Sequence, residues 1–171
     1  MYKYVITESP SGYEVYVNLI TSSAGQYISR QPHVITLMKE VLDAKTLTGL
    51  HVAIEHDMGR VIGNSNIVET TDKDTIYYAK AFKKSVFSRY AKNRNPAPSN
   101  VLTIILERDA DGGYEIHDTW IGPYSPPFPD IDNMAAKSIT YWENHALAQD
   151  EHAIQAKTIT KVCPYLAVEI S

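Results

Sequence analysis

Two stretches of the chain alternate hydrophobic and polar residues in the way expected of antiparallel β-hairpins. In the first, Tyr2 to Thr7 and Tyr13 to Ile20 flank the turn residues Glu8 to Gly12. In the second, Val101 to Glu107 and Tyr114 to Ile121 flank an Asp-Gly-Gly turn. Asp-Gly is a strong hairpin signal because its residues tolerate positive φ angles. We therefore predict two hairpins, with the second one central to its sheet.

Helical spacing appears in one clear place. After Pro32, five apolar residues recur every three or four positions, which predicts a helix ending near Gly49; they are Val34, Leu37, Met38, Val41 and Leu42. Two more helices are predicted from capping residues, one from Thr71 or Asp72 to about Lys84 and one from Asp132 or Asn133 to about Ala148.

The remaining segments are assigned by residue type. Strands are predicted over Leu50 to Glu55, Arg60 to Thr70 and Thr158 to Ile170, and irregular loops over Thr21 to Gln31, Asn93 to Asn100 and Gly122 to Asp130. This order indicates an α+β fold, an antiparallel-rich sheet with about three helices packed on it. We expect a single domain, 1–171, made of an N-terminal hairpin plus helix (1–49), a central sheet region (50–130) and a C-terminal helix and strand (131–171).

Composition favours a folded intracellular protein. Hydrophobic residues make up 44% and charged residues 21% of the 171 residues, which is typical of a globular chain. Cys163 is the only cysteine, so no intrachain disulfide can form. The N-terminus lacks the apolar core of a signal peptide, and no apolar run is long enough for a membrane span. We expect a cytoplasmic location and no membrane association.

A basic run interrupts an otherwise acidic chain. The net charge is −4, yet Lys80 to Arg94 contains six basic residues and no acidic one: Lys80, Lys83, Lys84, Arg89, Lys92 and Arg94. Interleaved with them are Phe82, Phe87 and Tyr90, whose rings can stack on bases. The run therefore predicts a nucleic-acid-binding surface, the alternative being a solvated helix end with cations at the negative end of the dipole.

Histidines on predicted strands supply the candidate chemistry. His51 begins a β-rich run and shares a strand face with Glu55, while His56 points to the other face, so these three side chains cannot bind one metal ion. His117 and Thr119, on the second strand of the central hairpin, are predicted to share a face. Imidazole transfers protons near neutral pH, so His51 and His117, with Thr119 as a hydroxyl partner, are the candidate catalytic residues. Ordinary structural roles for all three remain open.

Residues Leu50 to Asp130 resemble a type of small stand-alone bacterial or mobile-element protein, on five short features. Three of these are the strand containing His51, the Arg-Tyr-x-Lys-x-Arg-x-Pro segment that begins at Arg89, and the Thr-Trp-x-Gly-x-x-x-Pro-Pro segment that begins at Thr119. The other two are a predicted Tyr-rich helix with Tyr77 and Tyr78 and a Leu-Thr-Ile-Ile-Leu strand. Their order is similar to that of the barnase–EndoU–colicin–RelE group of metal-free endoribonucleases. That resemblance implies His51 as base or acid, Arg89 as phosphate binder and Thr119 as a phosphate-contacting hydroxyl. It covers under half of the chain.

Three hypotheses follow. The first is a metal-free endoribonuclease that cleaves RNA by histidine acid–base catalysis and needs no cofactor or metal. The second is a non-catalytic module that binds nucleic acid or a protein partner through the basic run. The third is a structural or regulatory protein of a mobile element. No glycine-rich phosphate loop is present, which disfavours the folds that bind nucleotide cofactors.

Overall fold

The fold was examined in a computed structural model that describes residues 2–8, 12–81, 86–129, 135–148, 157–161 and 163. The helices within these residues are α1 (Ser23–Arg30), α2 (Val34–Asp43) and α3 (Ala136–Asn144). The strands are β1 (Lys3–Glu8), β2 (Glu14–Asn18), β3 (His51–Asp57), β4 (Gly63–Ser65), β5 (Ile67–Glu69), β6 (Ile76–Ala81), β7 (Ser88–Ala91), β8 (Ala97–Ser99), β9 (Val101–Arg108), β10 (Tyr114–Ile121), β11 (His145–Ala148) and β12 (Lys157–Thr160).

The strands form mostly antiparallel sheets, so the predicted α+β class is confirmed. One sheet has the order β1-β2-β10-β9-β3, and another has the order β12-β6-β7-β11-β5. Strands β4 and β8 form a separate pair. The parallel neighbours are β2 with β10 and β7 with β11. Among the described residues, no helix is long and apolar enough to cross a membrane.

The chain divides into two compact units, and the first contains residues 1–63 and 99–124. Its core lies between the first sheet and helices α1 and α2. The five apolar residues of α2 that predicted this helix are all buried. Both predicted hairpins are confirmed, β1 with β2 and β9 with β10, and β10 occupies the middle of the sheet.

The turn of the central hairpin is organised by one carboxylate. Asp109 accepts hydrogen bonds from the amides of Asp111 (2.9 Å) and Gly113 (2.8 Å) and from the hydroxyl of Tyr16 (2.7 Å). Gly112 has a φ of 87°, a conformation that residues with a Cβ rarely adopt. The Asp-Gly-Gly signal thus corresponds to a specific turn geometry.

Helix α1 lies where we expected a polar loop, so that prediction was wrong. The Oγ of Ser22 accepts a hydrogen bond from Gly25 N at 2.8 Å, which caps the helix start. A Cβ added at Gly25 would lie 2.5 Å from the carbonyl oxygen of Asn18, so only glycine allows this close approach. Ala24, Gly25 and Ile28 are the buried residues, and so small a hydrophobic face gives little periodic signal.

The second unit contains residues 64–98 and 125–171. We expected a helix from Thr71 or Asp72 to Lys84, and this is wrong because Ile76–Ala81 form the strand β6. Thr71 and Asp74 bond to each other in a turn, Thr71 N to Asp74 Oδ2 at 2.9 Å, instead of capping a helix. The stacking of Tyr77 on Tyr90, with ring centroids 5.2 Å apart, joins β6 to β7.

The other boundaries differ in detail. The predicted strand from Arg60 to Thr70 is two short strands, β4 and β5, and the predicted loop Asn93 to Asn100 contains β8. The third predicted helix ends at Asn144, and β11 follows it directly. The proposed caps Asp132 and Asn133 lie outside the described residues, as do residues 164–170 of the predicted last strand.

Candidate active site

The candidate site lies on the outer face of the first sheet, the face opposite the core. Antiparallel pairing places His51 of β3 directly beside Glu107 of β9. Glu107 in turn pairs with Glu115 of β10. Paired residues project to the same side of a sheet, so these side chains share the outer face. His51 and Glu55 are both exposed, which confirms the prediction that they share a face, while His56, the residue after Glu55, is half-buried on the other face.

His117 lies on the same face of the sheet, at a β-bulge. Ile116 pairs with Leu106, but Asp118 pairs with Ile105, so His117 is an extra residue in β10. Ile116 faces the core, so alternation turns His117 to the outer face, and the bulge changes the phase of the residues that follow it. Here the His117 Nε2 atom lies 3.4 Å from Glu107 Oε2.

One carboxylate oxygen therefore serves both histidines. His51 Nδ1 lies 3.9 Å from the same Oε2 atom of Glu107. The side chains of His51, Glu107 and His117 are 77%, 51% and 48% exposed, so all three are accessible from solvent. The three groups form a cluster, hereafter the His–Glu–His cluster, on three adjacent strands.

The cluster lines an open groove with a volume of about 320 Å³. Aliphatic side chains form the floor of the groove, and an exposed tyrosine lines it together with the cluster. The lining residues are His51, Val52, Ala53, Ile105, Leu106, Glu107, His117 and Tyr124. The sheet thus presents two imidazole rings, with a carboxylate between them, at a small concave surface.

Thr119 does not reach this groove. We predicted that Thr119 and His117 share a strand face, and the bulge makes this wrong because it changes the alternation of β10 after His117. Thr119 is 1% exposed and pairs with Ile104 on the core side. Its hydroxyl donates a hydrogen bond to the carbonyl oxygen of Thr103 at 2.9 Å. In the structure this hydroxyl holds strands β9 and β10 together.

Arg89 belongs to the second unit, where its guanidinium is occupied. Arg89 Nη1 donates to Thr70 Oγ1 at 2.8 Å and to the carbonyl oxygen of His145 at 2.9 Å. Its Nε donates to Tyr78 Oη at 3.3 Å. The arginine predicted to bind phosphate thus has three protein partners in a half-buried position.

The other cations of the basic run differ in their surroundings. Arg94 pairs with Asp74 at 3.4 Å, an acid from outside the run, and also donates to the carbonyl oxygen of Glu69. Lys80 Nζ lies 5.4 Å from the ring centroid of Phe87, and the side chain of Lys92 is exposed. Lys83 and Lys84 lie outside the described residues. The predicted nucleic-acid-binding role of the run stays a prediction.

Carboxylates surround the His–Glu–His cluster. The outer face also carries Glu55, Glu115 and Asp118, which pair with residues of the same face of β9. Burial raises the pKa of Asp118, and the hydrogen bond from the Thr119 amide opposes this rise. Glu55 and Glu115 thus add negative charge to the sheet face that carries the two histidines.

Glu107 was not singled out from the sequence. It lies 56 positions from His51 in the chain, and only the register of β3 against β9 brings the two together. Among the described residues, no group of three or more His, Cys, Asp or Glu side chains is arranged to hold a metal ion. Comparisons with protein-family models, with curated proteins and with solved structures found no match.

Proposed function

We propose that this protein is a metal-free endoribonuclease whose proton transfers are made by the His–Glu–His cluster. The observation that carries the proposal is the shared contact of His51 and His117 with one oxygen of Glu107. The sum of these two distances is an upper limit for the separation of His51 Nδ1 and His117 Nε2. Two imidazoles this close to each other can act on one phosphodiester group, one accepting the proton of the nucleophile and the other donating a proton to the leaving oxygen.

The proposed reaction uses the 2′-hydroxyl of RNA as the nucleophile. His51, the more exposed ring, accepts the 2′-hydroxyl proton while the 2′-oxygen attacks phosphorus. His117 donates a proton to the departing 5′-oxygen, and the bond from phosphorus to that oxygen breaks. The products are a 2′,3′-cyclic phosphate and a 5′-hydroxyl, with no oxidant, water or metal consumed. Glu107 attracts whichever imidazole is protonated and holds both rings in place.

The experiment is cleavage of a labelled single-stranded oligoribonucleotide by the full chain in EDTA. We expect a 2′,3′-cyclic phosphate product and no cleavage of the same sequence made of DNA. His51→Ala and His117→Ala should each lower the rate by about 10²–10⁴-fold, because each removes one proton-transferring group. Glu107→Gln should lower the rate less, because both rings remain.

The matched control is His56→Gln. His56 lies on the same strand as His51 but on its other face, half-buried, so this substitution should leave the cleavage rate unchanged. Circular dichroism and urea unfolding check that each variant is folded. Equal rates for the native chain and for both histidine-to-alanine variants would reject the cluster as the catalytic site. Absence of cleavage by the native chain would reject the enzyme and favour a binding module.

A further inference from the structure

In the part of the chain that the structure describes, the groove has no cationic clamp for its substrate. None of the described residues that line it is Lys or Arg, and carboxylates lie beside it on the same sheet face. Neutralisation of phosphates by lysine and arginine normally supplies most of the affinity for nucleic acid. A substrate of this groove must therefore gain its binding energy from another part of the nucleotide.

Tyr124 offers that contact at the edge of the groove. Its side chain is 41% exposed, and it lines the groove together with both histidines. The aliphatic floor between them is formed by Ala53 and Ile105 on the outer face. A phenol ring beside an apolar floor is a suitable surface for a nucleobase, which has an apolar face of similar size.

The turn that carries Tyr124 is held at three successive residues. The Gly122 carbonyl accepts a hydrogen bond from Thr103 Oγ1 at 2.9 Å, and the Pro123 carbonyl accepts one from Trp120 Nε1 at 2.9 Å. The Tyr124 amide donates to Glu55 Oε2 at 2.5 Å. A fixed backbone lowers the entropy cost of holding the ring in one place.

We infer that Tyr124 is the base-stacking residue of this groove and that the substrate is single-stranded RNA. The inference deepens the proposed function and rests on it for the identity of the reaction. Bases inside a duplex are stacked on each other, so only an unpaired base can lie on the Tyr124 ring. Tyr124 is thus a substrate-binding residue, distinct from the cluster that transfers protons.

The test is direct binding of a labelled single-stranded 2′-O-methyl oligonucleotide, which lacks the nucleophile and cannot be cleaved. Tyr124→Ala should weaken binding by about five- to hundredfold, the usual value of one stacked base. Tyr124→Phe should bind like the native chain, because stacking needs the ring and not the hydroxyl. The matched control is Tyr4→Ala, which removes a tyrosine of similar exposure, 43%, from β1 and should leave binding unchanged.

Binding and cleavage separate the two proposals. For cleavable RNA, Tyr124→Ala should raise KM and leave kcat nearly unchanged, and a duplex of the same sequence should bind more weakly than the single strand. Cleavage by the native chain together with equal binding by Tyr124→Ala would overturn the inference and leave the proposed function intact. Tyr124-dependent binding without any cleavage would overturn the proposed function alone. Binding of neither single strand nor duplex would overturn the inference.

Discussion

Replacement of Arg89 distinguishes a structural role of this residue from a role in binding phosphate. Arg89 lies on β7 and donates three hydrogen bonds, to Thr70, to the carbonyl of His145 and to Tyr78. Tyr78 lies on β6, His145 begins β11 and Thr70 follows β5, so one side chain of β7 connects four neighbouring strands of the second sheet. Arg89→Gln is too short to reach all of these partners.

The expected loss of stability follows from the unmade hydrogen bonds. A hydrogen bond to a charged group contributes about 1.5–3 kcal/mol, and the half-buried position allows water to replace part of this. We therefore expect Arg89→Gln to lower the free energy of unfolding by about 2–3 kcal/mol. With a urea m-value of about 2 kcal/mol per molar, the unfolding midpoint falls by roughly 1 M.

Two further variants test whether the lost hydrogen bonds cause the lower stability of Arg89→Gln. Lys92→Gln removes the same charge from an exposed side chain of the same run and should change the urea midpoint little. Arg89→Lys keeps the charge but cannot form the forked set of bonds, so it should be almost as destabilising as Arg89→Gln. A phosphate-binding role predicts instead a difference in RNA affinity: Arg89→Lys, which keeps the charge, would retain most of the affinity that Arg89→Gln loses. Urea midpoints for Arg89→Gln and Arg89→Lys equal to that of Lys92→Gln would refute the structural reasoning.

Two other predictions concern charge in the first unit. The hydrogen bond from Tyr16 lowers the pKa of Asp109, and the amides of Gly113 and Asp111 add to this effect. The ionised Asp109 carboxylate therefore stabilises the folded state fully above the unfolded pKa of about 3.9. This stabilisation is lost as the pH falls through the folded pKa. In urea unfolding, the free energy of unfolding should therefore fall less from pH 7 to pH 3 for Asp109→Asn than for the native chain. The exposed control Asp111→Asn should lose as much stability as the native chain over the same pH range. Glu115→Gln removes a negative charge beside Glu107 and should strengthen oligonucleotide binding by about two- to threefold at low salt, with no effect at high salt; unchanged affinity at low salt would show that this carboxylate does not act on the groove.

The parts of the fold that could be predicted are those with a strong local signal. Helix α2 shows five buried residues at helical spacing, and the central hairpin combines alternation with an Asp-Gly turn. The helix predicted in place of strand β6 was wrong because Thr71, one of its two predicted caps, is equally suited to a helix cap and to the turn that it forms with Asp74. The local sequence does not distinguish the helix cap from the turn. The pairing of β6 with β7 and β12 decides it.

The candidate site shows the same division between local and long-range information. His51 and His117 were selected from the sequence because each lies on a β-rich run and can transfer a proton near neutral pH. Their common partner Glu107 depends on the register between strands that are far apart in the chain. A shift of one residue in that register would turn Glu107 to the other face. The partner of the two histidines could therefore not be assigned before the sheet was known.

The bulge at His117, in contrast, left a signal in the sequence. Tyr114 and Ile116 face the core, and so does Ile121, five positions after Ile116. Strict alternation cannot turn both isoleucines inward, because an odd spacing places them on opposite faces. Without the extra residue, Asp118 would pair with Ile104 and enter the core as an unpaired carboxylate, which costs several kcal/mol or forces its protonation. The insertion at His117 keeps Asp118 on the outer face and turns Thr119 inward. The change of phase that protects the core therefore begins at His117, the residue whose ring lies beside Glu107 on the outer face.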